Sequence, residues 1–355
     1  MEAHTLKLVN FRNYENETIS FCPGTNLIYG DNAQGKTNLL EAVCMFSYGR
    51  SKRAKSDSEL VRFGEKSFSI ELTFSDAVRD FTAVIKMLPD GKKNIRINNI
   101  SITKLSQLMS YFNVVMFSPS ELEIVKGSPS VRRRFLDEAI SQLSPKYMSQ
   151  LSEYHKTLEQ KNGLLKQLRI KGGEYDSMLS VWNNQLAALG GEISKKRRLF
   201  TERIAKAAEE IQKEISGEFL DINYVPSISE EDYFEKLEKN QKREIEAGAS
   251  LVGIQRDDLK IKISDKDSRL YASQGQQRTA VLSLKLAQTE YIYEEKGEYP
   301  VILLDDIMSE LDVNRRRYLA GRIKGRQVLI TTTDPEGAED NSGTKYFKIS
   351  KGRVI

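Results

Sequence analysis

The stretch Gly30-Asp31-Asn32-Ala33-Gln34-Gly35-Lys36-Thr37 narrows the possible folds more than any other part of this chain. It fits the pattern G-x-x-x-x-G-K-S/T, follows the apolar run Leu27-Ile28-Tyr29 and leads into an amphipathic segment at Lys36–Tyr48. Strand, glycine loop and helix in that order are the layout of a phosphate-binding loop. The glycines let backbone N–H groups turn inward around phosphate oxygens, and the positive end of the helix faces them. Residues Gly30 to Thr37, with Asn38, are therefore the expected cradle for a nucleotide's phosphates. Lys36 is expected to bridge the β- and γ-phosphates, and the Thr37 hydroxyl to hold Mg²⁺. The plainer alternative is a glycine-rich turn with an incidental lysine, and the flanking strand and helix argue against it.

Such a loop calls for a carboxylate at the end of a neighbouring strand. Val301-Ile-Leu-Leu304-Asp305-Asp306 reads as a buried strand delivering two acids to its C-terminal edge. Asp305 is expected to serve the metal and Asp306 to polarise the attacking water. Many buried strands end in an acid, so this motif gains its weight from the loop upstream. A third stretch, ASQGQQRTA at Ala272–Ala280, opens a helix through Leu282, Leu284 and Leu286. Ser273, Gln274, Gly275 and Gln276 offer a hydroxyl, a close-approach glycine and a helix N-terminus, which together suit an anion. A serine-capped helix with a polar first turn is the bland reading. The chain already has one phosphate loop, so the second anion site is explained most simply if it closes on the γ-phosphate held by another subunit.

Between these motifs the texture changes. Short β-rich runs appear at Thr5–Val9, Thr18–Phe21, Asn26–Tyr29, Phe68–Phe74, Phe81–Met87, Asn94–Ile97 and Val114–Phe117, with a helical pattern at Ile102–Tyr111. Ser128-Pro129 and Ser144-Pro145 then start helices, and a third helical run extends from Glu174 to Ile215 with a kink expected at Gly190-Gly191. Strand texture returns at Leu259–Ile263, Val301–Leu304, Gln327–Thr331 and Tyr346–Ile349, with helices after Gln276 and at Val313–Ile323. One α/β domain, 1–128 with 245–355, is thus expected to be split by a mostly helical arm at 129–244.

Charge bears on partners. The chain of 355 residues carries 54 basic and 50 acidic side chains, a balance that permits nucleic-acid contact without requiring it. Residues 131–219 hold 16 basic and 12 acidic groups, largely through Arg132-Arg133-Arg134 and Lys195-Lys196-Arg197-Arg198. Arg50, Lys52, Arg53 and Lys55 form a further cluster just past the first helix. Each cluster reads equally as a DNA contact or as solvated surface. Three consecutive helical arginines also spread over about 200° and cannot all face one duplex. Cys22 and Cys44 have no metal or disulfide spacing, and no apolar run approaches the ~20 residues that span a bilayer, so a cytoplasmic protein is expected.

In this order the three motifs resemble the ABC-type ATPase heads of the SMC class, and within it the RecF family of recombination mediators. The resemblance covers nearly the whole chain: LVNFRNYE, GDNAQGKTNLLEA, VKGSPSVRRRFLDEAI, RDDL at Arg256–Leu259, ASQGQQRTAVLSLKLAQ and LLDDIMSELD. It implies that Arg12 and Asn13 reach the nucleotide, that Ser309–Asp312 is a D-loop with Asp312 near the partner's site, and that Ser273–Gln276 acts in trans as the signature. Thr333 occupies the position of a switch histidine, which this chain lacks; His155 reads as a surface or packing residue. Glu121 stands where a Q-loop glutamine is expected. GIQRDDL replaces the family's usual proline and histidine before Arg-Asp-Asp, leaving Ile254 and Gln255 without an assigned role. The implied partners are ATP with Mg²⁺, a second copy, duplex and gapped DNA, and RecR with RecO.

Asp306 stands where ABC ATPases usually carry glutamate, one methylene longer, so slow hydrolysis is expected. A transport ATPase is disfavoured by SQGQ in place of L-S-G-G-Q and by the missing histidine. An SMC-like scaffold needs long coiled coils that are absent here. The expected function is an ATP-gated DNA clamp in recombinational repair.

Overall fold

Alternation of buried and half-buried residues marks the central strands of an antiparallel sheet built within the first hundred or so residues. In FSIELTFS, Phe68, Ile70, Leu72 and Phe74 are buried and their neighbours half-buried, the period-two pattern of a strand with one wet face. The structure, a computed structural model, describes residues 1–103, 105–172, 177–335 and 343–355. These divide into two compact units, Met1–Glu121 with Lys285–Ile355, and Leu122–Leu284.

The first unit begins with β1 (Glu2–Phe11), β2 (Tyr14–Ser20), β3 (Thr25–Tyr29) and α1 (Lys36–Tyr48). It continues through β4 (Phe68–Ser75), β5 (Asp80–Met87), β6 (Lys93–Ile97), β7 (Ile100–Ile102), α2 (Leu105–Met109) and β8 (Val114–Phe117). One sheet runs in the order β2-β1-β4-β5-β6-β7. The helix expected over Ile102–Tyr111 shrinks to α2 because Asn98 and Asn99 both take left-handed backbone (φ 47° and 67°) and turn β6 into β7. Lys104 lies outside the described residues.

The second unit holds α3 (Glu123–Lys126), α4 (Pro129–Ser141), α5 (Pro145–Lys171) and α6 (Ser177–Ser216). After them come β9 (Leu220–Val225), α7 (Tyr233–Ala247), β10 (Asp258–Ile263), β11 (Lys266–Asp267), α8 (Ser268–Tyr271) and the first turns of α9 (Gln274–Lys296). Proline sits at the start of α4 and α5, and Ser144 Oγ caps α5 by accepting from the Tyr147 N–H. The expected start of the third helical run at Glu174 lies outside the described residues. At Gly190-Gly191, where a kink was expected, α6 continues without a break in its helical assignment. Gly190 instead admits Tyr233: a Cβ there would lie 2.3 Å from the ring.

The two units meet along the chain at 121/122 and 284/285, and within the second β10 pairs with β9 and β11 in a three-stranded sheet.

The remaining elements are β12 (Val301–Asp305), α10 (Val313–Ile323), β13 (Val328–Thr332), β14 (Lys345–Ser350) and β15 (Arg353–Val354). They complete a sheet of order β15-β14-β3-β13-β12-β8, in which β14, β3, β13, β12 and β8 are parallel. Helix α1 is buried almost all round. Its Leu39, Val43 and Phe46 share one core with Leu6, Ile70 and Ile85 of the antiparallel sheet and Val301, Leu303 and Leu329 of the parallel one. This is an ABC-type head fold with an inserted helical region. Among the described residues no helix is long and apolar enough to cross a membrane.

Candidate nucleotide site

The loop after β3 has the backbone its glycines were expected to allow. Gly30 (φ 147°), Ala33 (φ 64°) and Gly35 (φ 118°) all take positive φ. A Cβ on Gly30 would meet the Ile349 carbonyl oxygen at 2.3 Å, and one on Gly35 would meet Asn13 Nδ2 at 2.6 Å. Neighbours hold the loop from outside. Asn13 Nδ2 donates to the Gln34 carbonyl at 2.7 Å and Tyr14 OH to the Gly35 carbonyl at 3.0 Å. The turn between β14 and β15 adds two more bonds, Lys351 N–H to Gln34 Oε1 at 2.7 Å and Gly352 N–H to the Gln34 carbonyl at 3.0 Å. Asp31, Asn32 and Ala33 remain exposed while Lys36 is buried.

Lys36 Nζ donates to the carbonyls of Gly30 (2.6 Å) and Asp31 (2.8 Å). Burial lowers its pKa below the ordinary lysine value, against the pull of Asp306, Asp305 and Asp31. A buried ammonium held by carbonyl dipoles suits an incoming polyphosphate, which supplies the opposite charge.

The two motifs far apart in sequence meet at the C-terminal edge of the parallel sheet, the usual ligand edge of such sheets. Thr37 Oγ1 donates to Asp305 Oδ1 at 2.9 Å, and Thr331 Oγ1 donates to the same oxygen at 2.7 Å. A hydroxyl beside a carboxylate is a hard-oxygen donor set that fits Mg²⁺ shared with phosphate and water. Among the described residues no group of three or more His, Cys, Asp or Glu could hold a metal ion. Asp306 has left-handed backbone (φ 53°), fixed by its N–H bonding to Thr331 Oγ1 at 3.0 Å and by Ser309 Oγ donating to its carbonyl at 2.8 Å.

Arg12 is differently placed from Asn13. Its guanidinium forks onto Glu41, with Nε at 2.9 Å from one carboxylate oxygen and Nη2 at 2.7 Å from the other. Glu41 also accepts from Ser51 Oγ and lies 3.7 Å from Arg53 Nη1. Asn38 completes the cluster, donating to Asn13 Oδ1 at 2.9 Å and accepting from Arg53 at 3.0 Å. Glu41 was not anticipated, though one signal for it existed: a lone acid among Leu39, Leu40, Ala42 and Val43 on a buried helix. Thr331 gave no comparable signal.

The other expected positions are scattered. Asp312 caps α10: the hydrogen bond from the Arg315 N–H, at 2.9 Å, is the main cause of its lowered pKa. Thr333 is exposed just past β13. Glu121 is buried between Lys52 Nζ (3.2 Å) and Lys285 Nζ (3.4 Å). Burial alone would raise its carboxyl, but Lys285 and Lys52 outweigh that and hold it below the usual glutamate value. Lys52 also lies over the Tyr48 ring at 4.3 Å. Arg50 and Lys55 are exposed.

Within the arm unit, much of the basic surplus turns inward. Arg132 forks onto Asp258 (2.6 and 2.8 Å), and Arg133 donates to the Asp257 carbonyl at 2.7 Å. Arg197, 1% exposed, bonds Asp137, Asp257 and the Ile254 carbonyl. Lys195, Lys196, Arg198 and Arg134 stay exposed, as does His155. Gln255 accepts from Tyr154 OH at 2.8 Å and donates to the Val252 carbonyl at 2.6 Å, so the variant GIQ segment packs the arm.

At the start of α9, Ser273 and Gln276 form a reciprocal pair: the Gln276 N–H donates to Ser273 Oγ at 3.2 Å, and the Ser273 N–H donates to Gln276 Oε1 at 2.8 Å. The serine oxygen is the acceptor in this pair, and its hydroxyl keeps a proton to donate. Ser273 and Gln274 are exposed.

Residues 3–353 match the family described as RecF/RecN/SMC N terminal domain. The chain is 41% identical to the DNA replication and repair protein RecF of Clostridium perfringens (strain SM101 / Type A), covering 100% of this chain and 99% of that one. It is 40% identical to RecF of Staphylococcus carnosus (strain TM300) with both chains fully covered. A solved structure of the recombination mediator protein RecF with ATP, from the RecFOR pathway, superposes with a TM-score of 0.92 at 38% identity, covering 99% of this chain and 96% of that one. An Smc head bound to the C-winged helix domain of ScpA shares the fold at 17% identity and a TM-score of 0.59, covering 100% of this chain and 97% of that one. A phosphate loop braced by Asn13, a carboxylate shared by Thr37 and Thr331, and full-length likeness to these relatives lead to one conclusion: the chain belongs to the RecF family of DNA replication and repair proteins.

Proposed function

We propose that this chain is an ATP-dependent DNA-binding protein of recombinational repair, which dimerises on ATP, binds duplex DNA at single-strand gaps and helps load recombinase together with RecO and RecR. The observation that carries the reading is the convergence of Thr37, Asp305 and Thr331 beside a loop whose buried Lys36 is held on the Gly30 and Asp31 carbonyls. Support for the nucleotide comes from the ATP-bound relative, and support for the pathway from its place in RecFOR.

Each residue has a stated task. The loop N–H groups and Lys36 bind and orient the β- and γ-phosphates. Thr37 and Asp305 would hold Mg²⁺, which would neutralise charge on the transferring phosphoryl group. Asp306 polarises the attacking water, and its short side chain makes that step slow. Ser273 of a second copy donates its hydroxyl proton to the γ-phosphate, so two nucleotides close the dimer on DNA and hydrolysis reopens it. Arg50, Lys52, Arg53 and Lys55 are proposed DNA contacts, with Lys52 and Arg53 exchanging Glu121 and Asn38 for DNA phosphates.

Ser273→Arg and Lys36→Ala test this reading together. Each variant alone is expected to fail to dimerise on ATP. Mixed, they form one composite site with an intact loop and an intact Ser273, and partial ATP-dependent dimerisation should return in sedimentation or light scattering. A Ser273→Arg protein that dimerises like the parent would reduce the serine to a helix cap. DNA affinity should need ATP and fall as salt rises, because phosphate contacts release counterions; equal affinity with ATP, ADP and no nucleotide would refute gating.

A further inference from the structure

The side chain of Gln276 makes two bonds that a glutamate could not make together. Its Oε1 accepts from the Ser273 N–H within the capping pair, and its Nε2 donates to Glu218 Oε1 at 2.5 Å. A capping box accepts either Glu or Gln at this position. Glutamate here would set two carboxylates against each other and add negative charge to a helix start proposed to meet phosphate. Glutamine supplies an acceptor to one side and a donor to the other while staying neutral.

Glu218 is placed to do this by the link between α6 and β9. Gly217, with left-handed backbone (φ 71°), ends the helix, and Glu218 follows half-buried. The same end of α6 grips α9 a second time, where Ser283 Oγ donates to Gln212 Oε1 at 3.0 Å. Residues 276 and 283 are about two helical turns apart, so the start of α9 is held along one side rather than at a single point.

We infer that Glu218 is a positioning residue for the Ser273–Gln276 site. By holding Gln276 Nε2 it fixes the rotation of the amide, which fixes the Ser273 N–H and keeps the serine oxygen accepting from Gln276. The serine's remaining proton is then aimed away from its own helix. This inference rests on the proposed action of Ser273 on a second copy's γ-phosphate. Its charge has a further consequence, because a carboxylate this near an anion site opposes phosphate. The acceptor oxygen of Glu218 therefore favours closure while its charge works against it.

The test is an ATP titration of dimerisation by light scattering, alongside ATP binding to dilute monomer. Glu218→Ala should need about tenfold or more ATP to dimerise, the loss of a hydrogen bond to a charged group, while monomer binding stays at the parent value. Glu218→Gln keeps the acceptor and removes the charge, and should dimerise at the parent ATP concentration or below. Combining Glu218→Ala with Gln276→Ala should add nothing to Gln276→Ala alone. If Ser273→Arg abolishes dimerisation and Glu218→Ala leaves it untouched, the role of Glu218 is overturned and the reading of Ser273 stands. Glu218→Gln as impaired as Glu218→Ala, or monomer binding lost along with dimerisation, would also overturn it. A Ser273→Arg protein that dimerises normally would remove the reading beneath both.

Discussion

Replacing Arg197 by methionine tests whether the arm's basic surplus serves the fold or a ligand. Arg197 donates to both oxygens of Asp137 (2.8 and 3.0 Å), to Asp257 Oδ2 (2.9 Å) and to the Ile254 carbonyl (2.9 Å). Asp257 is 1% exposed and also accepts from Tyr224 OH and from the Ser227 N–H at 2.8 Å. Methionine fills the space of the stem but takes away the guanidinium that bridges Asp137 and Asp257, leaving Arg133, held on the Asp257 carbonyl, as the cation beside them. Breaking a buried pair in this way costs about 3–5 kcal/mol. For a unit of roughly 160 residues, each kcal/mol lowers the melting temperature by about 2–4 °C, so Arg197→Met should melt about 6–20 °C below the parent.

The pH dependence has a definite sign. Burial holds the Asp257 carboxyl above the ordinary aspartate value, even with Arg197 pulling the other way. A carboxyl raised in the folded state adds stability when protonated and loses it as pH climbs through the raised value. Removing Arg197 raises it further. The deficit of Arg197→Met should therefore be largest at neutral pH and shrink as pH falls toward the ordinary aspartate range. Thermal unfolding by circular dichroism across that range decides it. A melting shift under about 2 °C at neutral pH, or a deficit that grows on acidification, would refute the ion-pair account.

Two other substitutions separate tasks within the nucleotide site. Asp306→Asn should keep Mg-ATP binding, lose turnover and accumulate as an ATP-bound dimer; hydrolysis at the parent rate would show that Asp306 does not activate the water. Gly35→Ala should lower ATP affinity by about tenfold or more, because it combines a positive φ with a clash against Asn13, and a filter-binding assay showing parental affinity would contradict the loop geometry.

Legibility in the sequence followed the range of the forces involved. Helix α1 was expected at Lys36–Tyr48 and lies there, since the glycine loop, apolar periodicity and Gly49 at its end are all local signals. Proline after serine located α4 and α5 for the same reason. β10 was legible as a strand but its partner was not, because apolar alternation marks a strand without naming what it pairs with, and β9 in LDINYV alternates too weakly to be noticed. At the site, Lys36, Thr37 and Asp305 stood out because phosphate and metal chemistry restrict residue type at fixed spacing. Thr331, Glu41 and Glu218 did not, because each acts on a residue distant in sequence by an ordinary hydrogen bond that many side chains could make. Arg132, Arg133 and Arg197 carried a misleading signal, since a run of basic residues looks alike whether it meets DNA or a buried aspartate.

The strand order of the parallel sheet bears on how the protein is made. β3, which carries the phosphate loop, lies between β13 and β14, and the Lys351-Gly352 turn braces the loop itself. Those partners leave the ribosome about 300 residues after β3, a wait of roughly 15–60 s at ordinary synthesis rates. The antiparallel sheet and the arm unit can close earlier, each from a continuous stretch of chain. The nucleotide site is thus expected to be the last part of the molecule to form. A nascent chain halted before residue 328 would leave the apolar strand Leu27-Ile28 unpaired, a target for chaperones and for aggregation, and capacity for ATP would mark a finished head.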